Sequence, residues 1–112
     1  MIGDSYVEAL QVKNKDTFHA ILDENLDSYD VYPIGMSGSP LSQYLAFSKY
    51  MAKNFNPKLY VFLIIANDFD ESFFDTRGKL GFYYFDEFNG LKLVNYEPSF
   101  VKLLGRKSAF LR

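Results

Sequence analysis

Three short polar clusters hold the residues of this chain whose types and spacing could do chemistry. They are "GDS" at residues 3–5, "GMSG" at residues 35–38 and "AND" at residues 66–68. A Gly-Asp-Ser triplet can form an ordinary turn, because all three residue types favour turns. It can also form a sharp corner that presents a serine hydroxyl to a substrate. The elements that position the three clusters decide between these interpretations.

The segments between the clusters predict alternating helices and strands. The stretch "DTFHAILDENL" predicts a helix capped by Asp16 or Thr17, and "YDVYPI" predicts a short strand. The apolar stripe of that helix comprises Phe18, Ile21, Leu22 and Leu26. A second helix is predicted over Leu41–Phe55, where apolar residues recur with a period near 3.6 and Pro57 follows.

The apolar run "LYVFLIIA" predicts a strand buried on both faces, which is typical of a parallel sheet. The alternation of strands and helices predicts an α/β fold, specifically an incomplete flavodoxin-like three-layer α/β/α arrangement with a parallel sheet. In such folds ligands bind at the carboxyl ends of the strands, and all three polar clusters fall where strands should end.

The last third of the chain has a different pattern. Within "YYFDEFNGLKLV", Asn89-Gly90 predicts a two-residue hairpin turn. The corresponding pairs are Phe88 with Leu91, Glu87 with Lys92 and Phe85 with Val94. A C-terminal helix is predicted to begin near Ser99. The chain therefore divides into an α/β core that bears the clusters (1–72), an aromatic-rich loop and hairpin (73–98) and the start of a helix (99–112).

Composition excludes several functional classes. With 112 residues, 48% of them hydrophobic and 23% charged, the chain is typical of one small globular domain or a piece of a larger one. The net charge of -2 gives no electrostatic reason to bind nucleic acid. The chain has no cysteine and a single histidine, and no apolar run is long enough to predict a membrane span. No metal or organic cofactor is implied.

Taken together and in this order, the three clusters resemble the motif blocks of the SGNH/GDSL hydrolase family. Gly38 follows Ser5 by 33 residues and Asn67 follows Gly38 by 29, and each interval is about the length of a βαβ unit. The resemblance covers roughly residues 2–72. The hairpin and the terminal helix resemble an insertion found in some bacterial members.

The resemblance implies a serine esterase or lipase-type hydrolase that acts on carboxylic esters of small molecules, lipids or sugars. By the same resemblance, Ser5 is the nucleophile that forms an acyl-enzyme. The backbone N–H groups of Ser5 and Gly38 and the carboxamide of Asn67 form the oxyanion hole. Loss of one such donor costs on the order of 100- to 1,000-fold in rate. Asp4 supports the turn and is not the catalytic acid.

The family's later Asp-x-x-His block, which supplies the general base, is absent. His19 precedes two of the three clusters, so it is interpreted as a partly exposed helix residue rather than as the base. Only Met1 and Ile2 precede Gly3, and the final helix has no stop signal. These features predict a partial hydrolase domain or a partial gene product, inactive or weakly active alone, whose exposed apolar edges favour self-association.

Two alternatives remain open at this stage. One is a noncatalytic α/β domain that binds a partner or a small ligand, and the other is an O-acyltransferase on the same scaffold. Two local features have plainer interpretations. The acidic stretch "NDFDESFFD" is interpreted as a solvated turn rather than a calcium loop, and the aromatic residues between Phe73 and Phe88 as hairpin packing rather than a lipid pocket.

Overall fold

The computed structural model describes residues 1–86, 90–99 and 102. In chain order, the elements are β1 (Ile2–Gly3), α1 (Ser5–Glu8), a 3₁₀ turn (Asn14–Asp16), α2 (Phe18–Glu24), β2 (Ile34–Gly35), α3 (Leu41–Phe55), α4 (Ala66–Asp70), α5 (Phe74–Arg77), β3 (Tyr83–Asp86) and β4 (Gly90–Leu93). This mixture of helices, a parallel strand pair and an antiparallel hairpin confirms the predicted α/β character. Most of the predicted terminal helix lies outside the described residues.

The short strand β1 lies in the middle of three parallel extended segments. On one side it pairs with β2, and Ile2 is opposite Ile34. On the other side Ile2 bridges to Phe62: its N–H donates to the carbonyl of Val61 at 2.8 Å, and its carbonyl accepts from the N–H of Leu63 at 2.9 Å. Ile2 is only 2% exposed, because segments flank its backbone on both sides and α3 packs against β1.

The third segment, residues 59–65, does not form the doubly buried strand that the sequence predicted. Phe62 alone makes a strand-like bridge, and the side chains of Leu59 and Ile64 are 74% and 54% exposed. An apolar run is buried on both faces only when helices cover both faces of the sheet. Among the described elements this run has a strand neighbour only at β1, so much of its apolar surface stays in solvent.

Helix α3 has the predicted bounds, whereas the packing of α2 differs from the prediction. After α3 ends at Phe55, Asn56 adopts a left-handed conformation with φ of 46°. Helix α2 begins after Thr17, whose hydroxyl accepts from the N–H of Ala20 at 3.3 Å, as the capping pattern predicts. Its apolar stripe does not face a core, since Phe18 is 57% exposed.

The hairpin forms, but in a different register from the one predicted. The observed pairs are Tyr83 with Leu93, Tyr84 with Lys92, Phe85 with Leu91 and Asp86 with Gly90. The predicted pairs, which placed Val94 opposite Phe85, Lys92 opposite Glu87 and Leu91 opposite Phe88, are therefore wrong. Gly90 has a φ of +81°, and its left-handed conformation lets β4 begin there, four positions after the end of β3.

Aromatic packing holds the hairpin to the preceding helices, as the sequence predicted. The rings of Phe74 and Tyr84 lie 5.3 Å apart, and those of Phe73 and Phe85 lie 5.9 Å apart. The hairpin also docks on the first turn of α3, where the hydroxyl of Ser42 donates to the carbonyl of Tyr83 at 2.7 Å. This docking joins the aromatic region to the helix that packs against β1.

Candidate functional site

The parallel pairing brings the three polar clusters to one edge of the sheet. Ser5 follows β1, Gly38 follows β2, and Asn67 follows the segment that contains Phe62. Because the carboxyl ends of parallel strands lie at the same edge, the chain leaves all three segments at one end of the sheet. This edge is the candidate site.

The Gly-Asp-Ser cluster forms a corner between β1 and α1. The carboxylate of Asp4 is 7% exposed, and its Oδ1 accepts from the N–H of Tyr6 at 3.0 Å, which caps the helix. A side chain on Gly3 would overlap Cγ2 of Val7, so glycine is required for the helix to fold back on the strand. Ser5 is half-buried, and its hydroxyl donates to Oδ2 of Asp4 at 3.5 Å.

The second cluster is a tight turn in which Gly38 has a φ of +76°. The N–H of Ser39 donates to the carbonyl of Met36 at 3.0 Å, so Gly38 occupies the position of a type II turn that needs a positive φ. Its own N–H has no hydrogen-bond acceptor among the described residues. The backbone geometry therefore leaves this N–H available to a ligand.

A residue that the sequence analysis did not single out, Glu8, ties this turn to α1. Its Oε2 accepts from the N–H of Ser37 at 2.7 Å and also from the hydroxyl of Ser37. The contact joins residues 29 positions apart, so no local pattern could have revealed it. Through Glu8, the helix that begins at Ser5 also holds the turn that contains Gly38.

Asn67 lies in the first turn of α4, immediately after the third segment, rather than at the tip of a regular strand. Its side chain is exposed and has no hydrogen-bond partner among the described residues. The neighbouring Asp68 is 1% exposed, and its Oδ2 accepts from the N–H of Ile65 at 2.8 Å. Asp68 thus fixes the start of the helix, while the carboxamide of Asn67 remains free.

Tyr44 connects the third cluster to α3 and to the first cluster. Its hydroxyl donates to Oδ2 of Asp68 at 2.8 Å. Burial raises the pKa of Tyr44 above its ordinary value, and the bond to Asp68 and the negative charge of Asp4 raise it further. The hydroxyl of Tyr44 therefore stays protonated, and among the described residues Oδ1 of Asp68 is buried without a partner.

The only histidine of the chain is engaged elsewhere. His19 is on α2 as predicted, but it is buried rather than partly exposed, and its Nε2 lies 3.0 Å from the hydroxyl oxygen of Thr17. The Thr17 hydroxyl donates its proton to the carbonyl of Asn14 at 2.6 Å. His19 must therefore donate from Nε2, which makes it a structural partner of the helix cap.

Two open cavities lie on the described part of the chain. One of about 430 Å³ is lined by residues that include Glu8, Thr17 and His19, and one of about 360 Å³ lies against α3 and Tyr83. Ser5, Gly38 and Asn67 line neither of these two cavities. Their assembly into one oxyanion hole stays a prediction.

Among the residues that the structure describes, no helix is both long and apolar enough to cross a membrane, and no group of three or more acidic or histidine side chains could hold a metal ion. Comparison with protein-family models, with curated proteins and with solved structures found no match to this chain.

Proposed function

We propose that this chain carries the nucleophile and the oxyanion donors of an SGNH-type serine hydrolase that acts on carboxylic esters. Ser5 attacks the ester carbonyl, and the N–H groups of Ser5 and Gly38 with the carboxamide of Asn67 stabilise the developing negative oxygen. The observation that carries the proposal is the parallel pairing of β1 with both β2 and Phe62, which directs all three clusters toward one edge.

The order of the three segments supports a flavodoxin-like arrangement as part of this proposal. The sheet order is β2, β1 and then the Phe62 segment, which corresponds to the first three positions of the flavodoxin-type strand order. In that arrangement the crevice at the carboxyl ends of the strands is the ligand site, and Ser5 begins the helix that follows the central strand.

Turnover by this chain alone is proposed to be slow, because no histidine is available to Ser5. His19 donates its Nε2 proton to Thr17, and the hydroxyl of Ser5 donates to the carboxylate of Asp4 at 3.5 Å rather than to an imidazole. Preorganised oxyanion donors still give some rate in serine hydrolases that have lost their base. Covalent labelling tests the proposed chemistry more directly than turnover, because it needs only a single attack by Ser5 and accumulates during a long incubation.

A fluorophosphonate probe, which phosphonylates activated serines, tests the proposal on the full chain. We expect peptide mapping to find the label on Ser5 and expect Ser5→Ala to abolish it. Ser48→Ala is the matched control, since the Ser48 hydroxyl donates to a carbonyl of its own helix and lies outside the site. Asn67→Ala should slow labelling on the order of 100-fold, because one donor to the developing oxyanion is lost. Absence of label on Ser5 would overturn the proposal.

A noncatalytic binding domain is the second candidate, and one observation favours it. Among the described residues, the hydroxyl of Ser5 has only the carboxylate of Asp4 as a hydrogen-bond partner, and the histidine is bonded to Thr17 instead. On this alternative the edge binds a ligand without reacting with it. Labelling that is absent at Ser5 while a small anionic ligand still binds the edge would select this alternative.

A further inference from the structure

The ammonium group of Lys79 lies against the backbone of Gly38. A Cβ added to Gly38 would lie only 2.6 Å from Nζ of Lys79, closer than Cβ atoms approach other atoms in proteins. Lys79 is distant in sequence from the second cluster, and the loop before the hairpin brings it there. A positive charge is therefore placed directly over the turn that holds a proposed oxyanion donor.

The backbone of Lys79 is anchored to a buried residue. The hydroxyl of Tyr84 donates to the carbonyl of Lys79 at 2.7 Å and accepts from its N–H at 2.5 Å. Tyr84 is 3% exposed, and its ring packs edge-on against Phe74. The position of Lys79 therefore follows from the packed aromatic region, and only its long side chain extends toward Gly38.

Both groups at this point lack a partner in the part of the chain that the structure describes. Among the described residues, no carboxylate or other acceptor pairs with the Lys79 ammonium, and none accepts from the Gly38 N–H. A cation and a free backbone N–H in one place form a site that fits an anionic oxygen, since charge-assisted hydrogen bonds are the stronger ones.

We infer that Lys79 determines substrate specificity by selecting esters whose acyl group carries a carboxylate, such as monoesters of dicarboxylic acids. This inference rests on the proposed function, because it names the charge of the ester that Ser5 attacks. The substrate carboxylate pairs with Lys79 while the ester carbonyl lies beside the Gly38 N–H. A neutral acyl chain is disfavoured there, since it would desolvate the ammonium without replacing its hydrogen bonds.

Binding followed by NMR tests this selection without requiring turnover. The full ¹⁵N-labelled chain is titrated with monomethyl succinate and with dimethyl succinate, which differ by one charge. We expect the monoester, and not the diester, to shift the amide signals of Gly38 and Lys79. Lys79→Met should weaken monoester binding about tenfold, and Lys79→Arg, which keeps the charge, should retain most of it. Lys53→Met, at an exposed position of α3, is the matched control and should leave binding unchanged.

Three results would overturn the inference: equal binding of monoester and diester, unchanged monoester binding in Lys79→Met, or no saturable monoester binding in the millimolar range. The phosphonate labelling of Ser5 separates this failure from failure of the proposed function. If Ser5 is labelled but the monoester and the diester bind equally, only the proposed selection by Lys79 is wrong. If the monoester binds better than the diester but Ser5 is not labelled, the proposed hydrolase function is wrong and the anion site at Gly38 stands.

Discussion

The hydroxyl of Tyr44 donates a hydrogen bond of 2.8 Å to Oδ2 of Asp68, joining positions that are 24 residues apart. Both side chains are buried, at 0% and 1% exposure. Because Asp68 directly follows Asn67, this bond fixes the start of α4 to α3 and thereby positions the backbone that carries a proposed oxyanion donor.

Tyr44→Phe should destabilise the chain while preserving its packing. The substitution removes the hydroxyl and leaves Oδ2 of Asp68 with only the N–H of Ile65 as donor. We expect the free energy of unfolding to fall by about 1–3 kcal/mol, the typical cost when a buried polar group loses its partner. Urea denaturation followed by circular dichroism measures the change.

Tyr50→Phe is the matched control for that experiment. Tyr50 lies on the same helix, but its side chain is 58% exposed. Its substitution should change the free energy of unfolding by no more than about 0.5 kcal/mol. Equal effects of the two substitutions would show that the Tyr44–Asp68 bond does not stabilise the fold.

Stability should decline at alkaline pH in a way that depends on Tyr44. Burial, and then the bond to Asp68, raises the pKa of Tyr44 above its usual 10.0, so the folded state holds this proton more tightly than the unfolded state. The resulting stabilisation is complete below 10.0 and is lost as the pH rises through the folded pKa. Denaturation midpoints at increasing pH should fall more steeply above 10.0 for the wild type than for Tyr44→Phe. Parallel curves would contradict this assignment.

Glu8→Ala should loosen the turn that contains Gly38. The substitution removes the acceptor of both hydrogen bonds from Ser37. We expect a loss of about 1–2 kcal/mol in the free energy of unfolding, together with a shifted amide signal of Gly38 in NMR spectra. Glu24→Ala, at an exposed position of α2, should leave that signal in place. An unchanged Gly38 signal in Glu8→Ala would mean that the turn holds its shape without the contact.

The sequence best predicted those structural features that depend on residues close together in the chain. The bounds of α3 follow from the apolar period and from Pro57, and the cap of α2 follows from the hydroxyl of Thr17. The sequence also indicated that polar clusters follow consecutive strands. These features depend on a few neighbouring residues, so they can be read without knowledge of the fold.

The remaining features depend on contacts between distant parts of the chain. The burial of residues 59–65 requires neighbours on both sides, and the run itself does not specify them. The predicted register of the hairpin placed the turn at Asn89-Gly90, whereas β3 ends at Asp86. A shift of the register by an odd number of residues moves the side chains of β4 to the opposite face of the sheet. The hydrogen bonds of Glu8 with Ser37 and the approach of Lys79 to Gly38 bring distant parts of the chain to the second cluster, and no spacing rule relates those residues.

Gly35→Ala gives the sharpest test of how β2 and α1 are fitted together. A Cβ at this position would overlap the amide nitrogen of Glu8 and lie 2.8 Å from the carbonyl carbon of Val7. These atoms belong to the backbone of α1 and cannot turn aside as a side chain does. We expect a loss of about 3 kcal/mol or more in the free energy of unfolding, measured by urea denaturation, because α1 must separate from β2.

Gly90→Ala distinguishes this steric conflict from the general cost of replacing a glycine. Gly90 has a φ of +81°, but a Cβ there would meet no atom within 4 Å. Only backbone strain is added, which costs about 1–2 kcal/mol for a residue with a side chain. Gly35→Ala should therefore be the more destabilising of the two, and it should also reduce phosphonate labelling, since α1 begins at Ser5. A Gly35→Ala chain that is as stable as Gly90→Ala and labels normally would show that α1 does not pack on β2 as described.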